Sequence, residues 1–366
     1  MLSLISKKLL MQGKRGTKEM AEEFIGVPKE IIYQLLKNAG SHRKAQEEIF
    51  LAHLPEDYQK EYLQVIKGEK LPDLSSDVVA KKIFSPEEHP ERLEYLLQQI
   101  AKDEGIKISH EAMNEGYVQS SVSKKLIFDI TAWLIDKRLL NTEFQRAAQE
   151  FILERTEIYA SDLLLVQYST KNGHSKSDVD YENVKGILQV ILMKHSPKVF
   201  DQSEVGDRYI HRFTSQTADS GLIYANPLKT TIFVQLDKCF AQFIEEKDGE
   251  NNKELQILLS ALYDVNHLAV RKCTKDSDML KDIIIEVGKM SEDKEVQAML
   301  LAEKYAEADF NAVKSYERKE GIEIGIHKGE NTLAETIKRL RNGESPEQIV
   351  ASGIPQHTVD LAMTIR

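Results

Sequence analysis

Two carboxylates and one amide stand out in this chain because their types and spacing could hold a metal ion. Asp129 lies in the apolar run Ile127-Phe-Asp-Ile130, and Glu143 and Gln145 lie in Asn141-Thr-Glu-Phe-Gln145. A carboxylate in an apolar strand is costly to bury unless a partner offsets its charge, and a bound cation is one such partner. Two acids on neighbouring strands could therefore hold the Mg²⁺ that assists hydrolysis of a phosphodiester.

The sequence around these residues predicts a β-hairpin that would bring them together. We expect the chain to fold about Lys137. Position 129 then lies opposite position 145, and Thr131 lies opposite Glu143. Because side chains alternate between the two faces of a strand, all four project from one side of the hairpin. Asp129 and Glu143 become diagonal neighbours, roughly 7–8 Å apart at the backbone. A pairing shifted by one residue would put them on opposite faces and remove the site.

Length and composition bound the class of protein. The chain has 366 residues, enough for a large core and more than one folding unit, with 41% apolar and 30% charged residues. Its formal net charge of −10 argues against broad, non-specific adhesion to nucleic acid but leaves room for a local basic groove. Cys239 and Cys273 are too few for a zinc site or a disulfide framework, which predicts a reducing, cytoplasmic location. We find no secretory signal and no membrane span.

The hairpin belongs to a longer alternation of strands and helices. Apolar periodicity predicts a helix over 149–168 and further strands at 184–193, 209–213 and 230–236. The first 75 residues and the chain beyond about residue 252 have helical periodicity. The predicted fold class is therefore α/β, a mixed sheet with flanking helices and with helical extensions at both ends.

Changes in pattern predict four segments. They are a helical extension at 1–75, the core with the sheet at 76–270, a helical arm at 271–330 and a small tail at 331–366. The arm carries glycines at a spacing of four, which weaken a helix and indicate either close helix packing or a hinge; they are Gly321, Gly325 and Gly329. In the tail, Ser345 and Gln348 form a capping box, and the short helices outline a helix-turn-helix.

Several stretches, taken in order, resemble the PD-(D/E)XK nuclease superfamily. The closer resemblance is to its bacterial group of PD-(D/E)XK nuclease family transposases, akin to the recombination-promoting nucleases. The stretches that carry it are Val79-Ala-Lys-Lys-Ile-Phe-Ser-Pro-Glu-Glu-His-Pro-Glu-Arg-Leu93, Asn114-Glu-Gly116, Ile127-Phe-Asp-Ile130, Asn141-Thr-Glu-Phe-Gln145, Ile158-Tyr-Ala-Ser-Asp162 with Gln167-Tyr-Ser169, and Tyr209-Ile-His-Arg-Phe213. Each is short, but their order makes the resemblance specific over roughly residues 75 to 270.

The resemblance implies a restriction-endonuclease-like core and a metal-dependent DNA endonuclease linked to recombination or mobile elements. It assigns Asp129 to the aspartate of the second core strand and Glu143 to the acid of the third, with Mg²⁺ or Mn²⁺ as the cofactor. Glu115 falls where the group often has a further acid of the metal shell. Gln145 falls where lysine is more usual; glutamine cannot carry that positive charge, but it can orient a water molecule by hydrogen bonds.

DNA is the partner that the resemblance implies. The residues that could contact it are Lys124 and Lys125 beside the predicted site, Gln167 on the helix after the hairpin, and Gln356, His357 and Thr358 in the tail. The same C-terminal helices could instead hold two copies of the chain together as a homo-oligomer.

Two other functions stay open beside the endonuclease, which is the leading hypothesis. The missing lysine and the acidic charge balance favour a catalytically silent protein that uses a nuclease-like scaffold for DNA binding, protein binding or assembly. The second is a DNA-binding regulator that acts through the tail.

Overall fold

A computed structural model describes residues 29–109, 130–169, 185–223, 228–246 and 253–365. The chain divides into two compact units, one formed by Glu61–Leu300 and the other by Met1–Lys60 together with Leu301–Arg366. The described β-strands all lie in the first of these units. The four segments expected from the sequence stay a prediction.

A mixed sheet of five described strands forms the core of the Glu61–Leu300 unit. The strands are β1 (Ile130–Trp133), β2 (Leu139–Gln145), β3 (Ile187–Met193), β4 (Ile210–Phe213) and β5 (Lys229–Gln235). Their order is β1-β2-β3-β5-β4. The central strands β2, β3 and β5 are parallel, and the edge strands β1 and β4 run antiparallel to their neighbours. The predicted α/β class, a restriction-endonuclease-like mixed sheet with flanking helices and helical extensions, is confirmed.

Helices precede, interrupt and follow the sheet. In chain order they are α1 (Lys29–Lys37), α2 (Arg43–His53), α3 (Glu56–Ile66), α4 (Asp77–Ile83), α5 (Pro90–Ala101), α6 (Ile152–Ser169), α7 (Leu236–Ile244), α8 (Lys253–Asp264), α9 (Leu268–Cys273), α10 (Asp278–Met290), α11 (Lys294–Arg341), α12 (Pro346–Ala351) and α13 (Gln356–Ile365). None of these helices, within the ranges described, combines the length and apolar character that a bilayer span requires.

The central strands are apolar because helices and loops cover both faces of the sheet. All seven residues of β3 are buried, as is typical of a parallel strand inside a sheet. On one face, Ala160 of α6 packs with Leu139 of β2 and Ile187 of β3. On the opposite face, Phe84 stacks on Phe144, with ring centroids 5.8 Å apart. Side-chain alternation places Glu143 and Gln145 on the same face as Leu139, so α6 is the helix that covers them.

The start of β3 requires a glycine. Gly186 has a φ of +83°, and a Cβ at this position would lie 2.6 Å from the carbonyl oxygen of Leu228. The same carbonyl accepts a hydrogen bond from Ile187 N at 2.8 Å, so the two segments cannot separate without loss of the ladder between β3 and β5. Only a residue without a side chain combines this φ with so close an approach.

The hairpin pairs in a different register from the one expected. Thr131 lies opposite Asn141, not opposite Glu143, so the pairing is shifted by two residues and the turn centres on Asp136. The Asp136 carboxylate closes this turn by accepting hydrogen bonds from Arg138 N at 3.0 Å and from Arg138 Nε at 2.6 Å. Because the shift is an even number of residues, each side chain keeps its expected face.

From Lys294 onward, the described chain forms one long helix, α11, and two short ones, α12 and α13. The three glycines of the arm lie within α11, and a Cβ at each would meet no described atom within 4 Å. Close packing at these glycines is therefore absent from the described structure. After α11, the predicted capping box is present, with Ser345 Oγ and Gln348 Oε1 each accepting from the other residue's backbone N–H. The side chains that form the tail's small core are Leu340, Ile349, Val359 and Ala362.

Candidate functional site

The structure describes only part of the predicted site. Glu143 and Gln145 lie on β2. Gln167 lies on α6, with its side chain outside the description. The predicted site residues that lie entirely outside the described residues are Asp129, Glu115, Lys124 and Lys125. The three tail residues, Gln356, His357 and Thr358, begin α13 in the other compact unit.

Glu143 is a buried acid that accepts hydrogen bonds from its own strand and from α6. It is 6% exposed. Its Oε1 accepts from Asn141 Nδ2 at 3.1 Å, and its Oε2 lies 3.5 Å from Arg155 Nη2. Burial of a carboxylate costs free energy that hydrogen bonds and a nearby cation offset. β2 therefore presents an acid whose position is fixed by its own strand and by the helix above it.

Arg155, in the first turn of α6, connects the polar side chains of β2. Its Nη1 donates to Gln145 Oε1 at 3.0 Å and to Gln149 Oε1 at 2.7 Å. Its guanidinium carbon lies 4.9 Å from the centre of the Tyr159 ring, a cation–π distance. The sequence analysis missed this residue. Two signals could have found it: a buried strand acid needs a cation, and residues 155 and 159 share one face of the helix that follows the strand.

Gln145 is held at both ends of its amide. Its Oε1 accepts from Arg155, and its Nε2 donates to the carbonyl oxygen of Ala147 at 2.8 Å. The two contacts fix which end of the amide faces Arg155. On the face of Glu143, the positive charge beside Gln145 is therefore that of Arg155 on the helix, since the strand residue is neutral.

A row of polar side chains crosses the sheet at the level of Asn141, two residues before Glu143 on β2. Asn141 pairs with Thr131 on one side and Gln189 on the other, and Gln189 pairs with Thr231. Asn141 and Gln189 are fully buried. Among the described atoms, Asn141 Oδ1 and Gln189 Nε2 have no hydrogen-bond partner. One is an acceptor and the other a donor, so a single buried water molecule or a small rotation would satisfy both.

A second charged cluster lies on the opposite face of the sheet. Asp73 accepts from Lys194 Nζ at 2.5 Å, and its Oδ2 lies 3.4 Å from Arg146 Nη2. Burial alone would raise the pKa of Asp73, but Lys194 and Arg146 outweigh it and hold this pKa below its usual value. Arg146 follows Gln145 directly, and alternation turns its side chain to the other face. This cluster ties the end of β2 to the loop before α4 rather than to Glu143.

The donors of β2 fit a hard divalent cation as part of a shell. Carboxylate oxygen is the ligand that Mg²⁺ and Mn²⁺ prefer, and Glu143 supplies it at a buried, fixed position. In the described ranges no three His, Cys, Asp or Glu side chains cluster as a metal site would require. Further acids would have to come from Asp129 and Glu115.

The predicted DNA-reading residues of the tail make short-range contacts. Gln356 Nε2 donates to Asp360 Oδ1 at 2.9 Å, and Thr358 Oγ1 lies 3.3 Å from His357 Nε2. Gln356 and His357 are exposed. Arg339 nearby is occupied by Glu344 and by Ser352 Oγ, the latter at 2.8 Å. Exposure is compatible with DNA contact and with assembly alike.

Comparison with known proteins gave one family. The model of a family described as PD-(D/E)XK nuclease family transposase matches residues 74–317, a range that contains the whole sheet, α6 and the acid of β2. No curated protein and no solved structure gave a match.

Proposed function

Because this chain belongs to the PD-(D/E)XK nuclease family transposases, we propose that it is a Mg²⁺-dependent DNA endonuclease. Nucleases of this superfamily typically use divalent metals, and their substrate is DNA. The observation that carries the proposal is the buried Glu143 on β2, held between Asn141 and Arg155. A buried acid aligned by neighbouring side chains is what a metal-dependent hydrolase needs at this position of the sheet.

Asp129 is the proposed partner of Glu143 in holding the ion. It precedes Ile130, whose partner in the ladder is Thr142, the residue before Glu143. Glu115 is the proposed third acid. When bound, Mg²⁺ or Mn²⁺ would acidify a coordinated water and neutralise charge on the phosphate. Asn141 orients the Glu143 carboxylate, and the Gln145 amide positions the attacking water by a hydrogen bond.

The proposal also covers the location of the protein, the residues that contact DNA and the surface that forms an oligomer. We place the protein in the bacterial cytoplasm, where it would act on DNA in recombination or mobile-element biology. DNA contacts are proposed for Lys124, Lys125 and Gln167, and for the α13 residues Gln356, His357 and Thr358. The C-terminal helices are the proposed surface for a homo-oligomer, which light scattering of the full chain and of a chain that ends at residue 330 would test.

Plasmid cleavage tests the proposal. The full-length protein should nick supercoiled plasmid with Mg²⁺ or Mn²⁺ and stop when EDTA is added. Asp129→Asn and Glu143→Gln should each abolish nicking. Glu154→Gln is the matched control, because Glu154 is an exposed acid on α6 beside Arg155. An Asp129→Asn protein that cleaves like the parent would refute the assignment.

A catalytically silent scaffold is the second candidate function. Neutral Gln145 and the net charge of −10 favour it. Isothermal titration with Mn²⁺ separates the two, because a hydrolase requires binding that depends on Glu143, whereas a scaffold requires none.

Regulation through the tail makes a different prediction: deletion of residues 331–366 would abolish DNA binding, and neither form of the protein would cleave.

A further inference from the structure

The proposed site lacks a cation on the strand where its family usually has one. Gln145 is neutral. During hydrolysis, the attacking water loses a proton as its oxygen bonds to phosphorus, the bond between phosphorus and one ester oxygen breaks, and that oxygen takes up a proton and leaves as an alcohol. Negative charge grows on the non-bridging oxygens in the transition state, and a nearby positive charge lowers the barrier. A cationic side chain beside the metal would add to this stabilisation, and residue 145 of the strand does not supply one.

Arg155 stands where such a charge would be useful. Its Nη1 is 3.0 Å from the Gln145 amide oxygen, so the guanidinium lies beside the position that would otherwise hold lysine. Its side chain is 32% exposed, whereas that of Glu143 is 8% exposed. The guanidinium is therefore more accessible to solvent than the acid beside it, as a group that contacts a DNA backbone must be.

The contacts of Arg155 leave its charge available. A charge-assisted bond between a guanidinium and a carboxylate is typically about 2.7–2.9 Å long. Arg155 Nη2 is 3.5 Å from Glu143 Oε2, while its shorter contacts go to the neutral amides of Gln145 and Gln149. The pair with Glu143 is therefore a long ion pair that neutralises the guanidinium less than a short contact would. The shorter contacts to neutral amides, together with the Tyr159 ring, orient the guanidinium.

Arg155 also has donors left for an anion. A guanidinium has five N–H groups in a planar fork that matches phosphate. The contacts described use Nη1 twice and Nη2 once, which leaves Nε and one N–H of Nη2. We propose that Arg155 binds a non-bridging oxygen of the scissile phosphate and replaces the lysine that the strand lacks. This inference rests on the proposed endonuclease function.

Charge rescue tests the proposal. Arg155→Met removes the charge and keeps most of the bulk; we expect cleavage to fall by about 10²–10³-fold, chiefly in kcat. Arg155→Lys should retain more activity than Arg155→Met. In the double variant Arg155→Met with Gln145→Lys, a strand lysine returns the charge, and at least a tenfold recovery is expected. Arg208→Met, which removes an exposed arginine elsewhere in the same unit, is the control.

Two further measurements do not depend on cleavage. With Ca²⁺ as the probe ion and a DNA duplex, Arg155→Met should lower the salt dependence of binding by about one phosphate contact, while Arg208→Met should not. In titration of Mn²⁺ without DNA, Arg155→Met should bind at least as tightly as the parent, because a cation beside Glu143 is gone. A purely structural role predicts weaker Mn²⁺ binding and no rescue by Gln145→Lys.

The outcomes separate this inference from the function on which it rests. A parent protein that neither binds nor cleaves DNA would overturn both. A parent that cleaves, with Arg155→Met equally active, would overturn the role of Arg155 alone. Loss of activity that Gln145→Lys does not restore, together with weakened Mn²⁺ binding and a lower melting temperature, would also overturn it.

Discussion

Arg155 of α6 reaches Glu143 of β2, with Nη2 3.5 Å from Oε2 across twelve positions of sequence. The same guanidinium contacts Gln145 two residues further along the strand. The helix that covers the sheet thus supplies the cation for the acid and the amide of the proposed site. The helix α6 therefore both packs on the sheet and contributes a side chain to the proposed site. Mutations of Glu143 and of Arg155 should have different effects on metal binding and cleavage.

Glu143→Gln is expected to remove metal binding while it keeps the shape of the side chain. The neutral amide cannot supply the charged oxygen that a hard divalent cation prefers. Mn²⁺ binding by isothermal titration should fall below detection, and plasmid nicking should be lost. Circular dichroism should stay unchanged, since the amide oxygen can still accept one of the two bonds that Asn141 and Arg155 donate. Undiminished Mn²⁺ binding would contradict a metal role for this residue.

Asn141→Leu is expected to weaken metal binding without unfolding the protein. It deletes the Asn141 Nδ2 bond to Glu143 Oε1 and also removes a buried oxygen that has no partner in the described structure. Loss of a residue that orients a ligand typically costs about 10–100-fold in metal affinity. Loss of the donor to a buried carboxylate typically costs about 1–3 kcal/mol, which removal of the unpartnered Asn141 oxygen offsets in part. Titration with Mn²⁺ and thermal melting measure the two effects, and Thr231→Val provides a control in the same polar row.

Asp73→Asn is expected to destabilise the fold by about 3 kcal/mol at neutral pH, because Lys194 and Arg146 would lose their shared counter-charge. The pH dependence has a definite sign. The pKa of Asp73 is held below its ordinary value of 3.8, so its stabilisation is present above pH 3.8 and is lost as the pH falls through the folded-state pKa.

Urea unfolding of the parent and of Asp73→Asn checks this expectation. The difference in unfolding free energy between the parent and Asp73→Asn should be largest at neutral pH. It should become smaller as the pH is lowered below 3.8. Asp278→Asn is the control, since Asp278 is an exposed acid paired with a neighbouring lysine on the surface. A gap that stays constant with pH would contradict the ion-pair account.

Gly186→Ala and Gly325→Ala should shift stability in opposite directions. Alanine at 186 meets a φ of +83° and the Leu228 carbonyl, so a loss of more than about 1 kcal/mol is expected. Alanine at 325 lies within α11 in open space and should stabilise the helix by up to about 1 kcal/mol. Urea unfolding of both variants tests this pair. A stable Gly186→Ala protein would show that β3 and β5 can approach differently.

Local pattern was enough to predict the elements that surround the site. The apolar run from 184 to 193 contains β3, and the segment 230–236 overlaps β5, because a strand buried on both faces must be apolar throughout. The alternation in Asn141-Thr-Glu-Phe-Gln145 correctly grouped Glu143 with Gln145 on one face, since side chains of a strand alternate with a period of two. The capping box at Ser345 followed from its own four residues.

What the tertiary structure alone decided were the contacts between elements. The hairpin turns about Asp136, whose carboxylate closes the turn, and not about Lys137. This change of one residue in the turn centre shifts the strand pairing by two residues. Asp73 meets Lys194 across 121 positions, and no local periodicity encodes such a pair. The sequence by itself was enough to place an acid on β2, because the alternation of apolar and polar residues that marks a strand is a local pattern. Which cation stands beside that acid was settled only by the packing of α6 on the sheet, which brings Arg155 to Glu143.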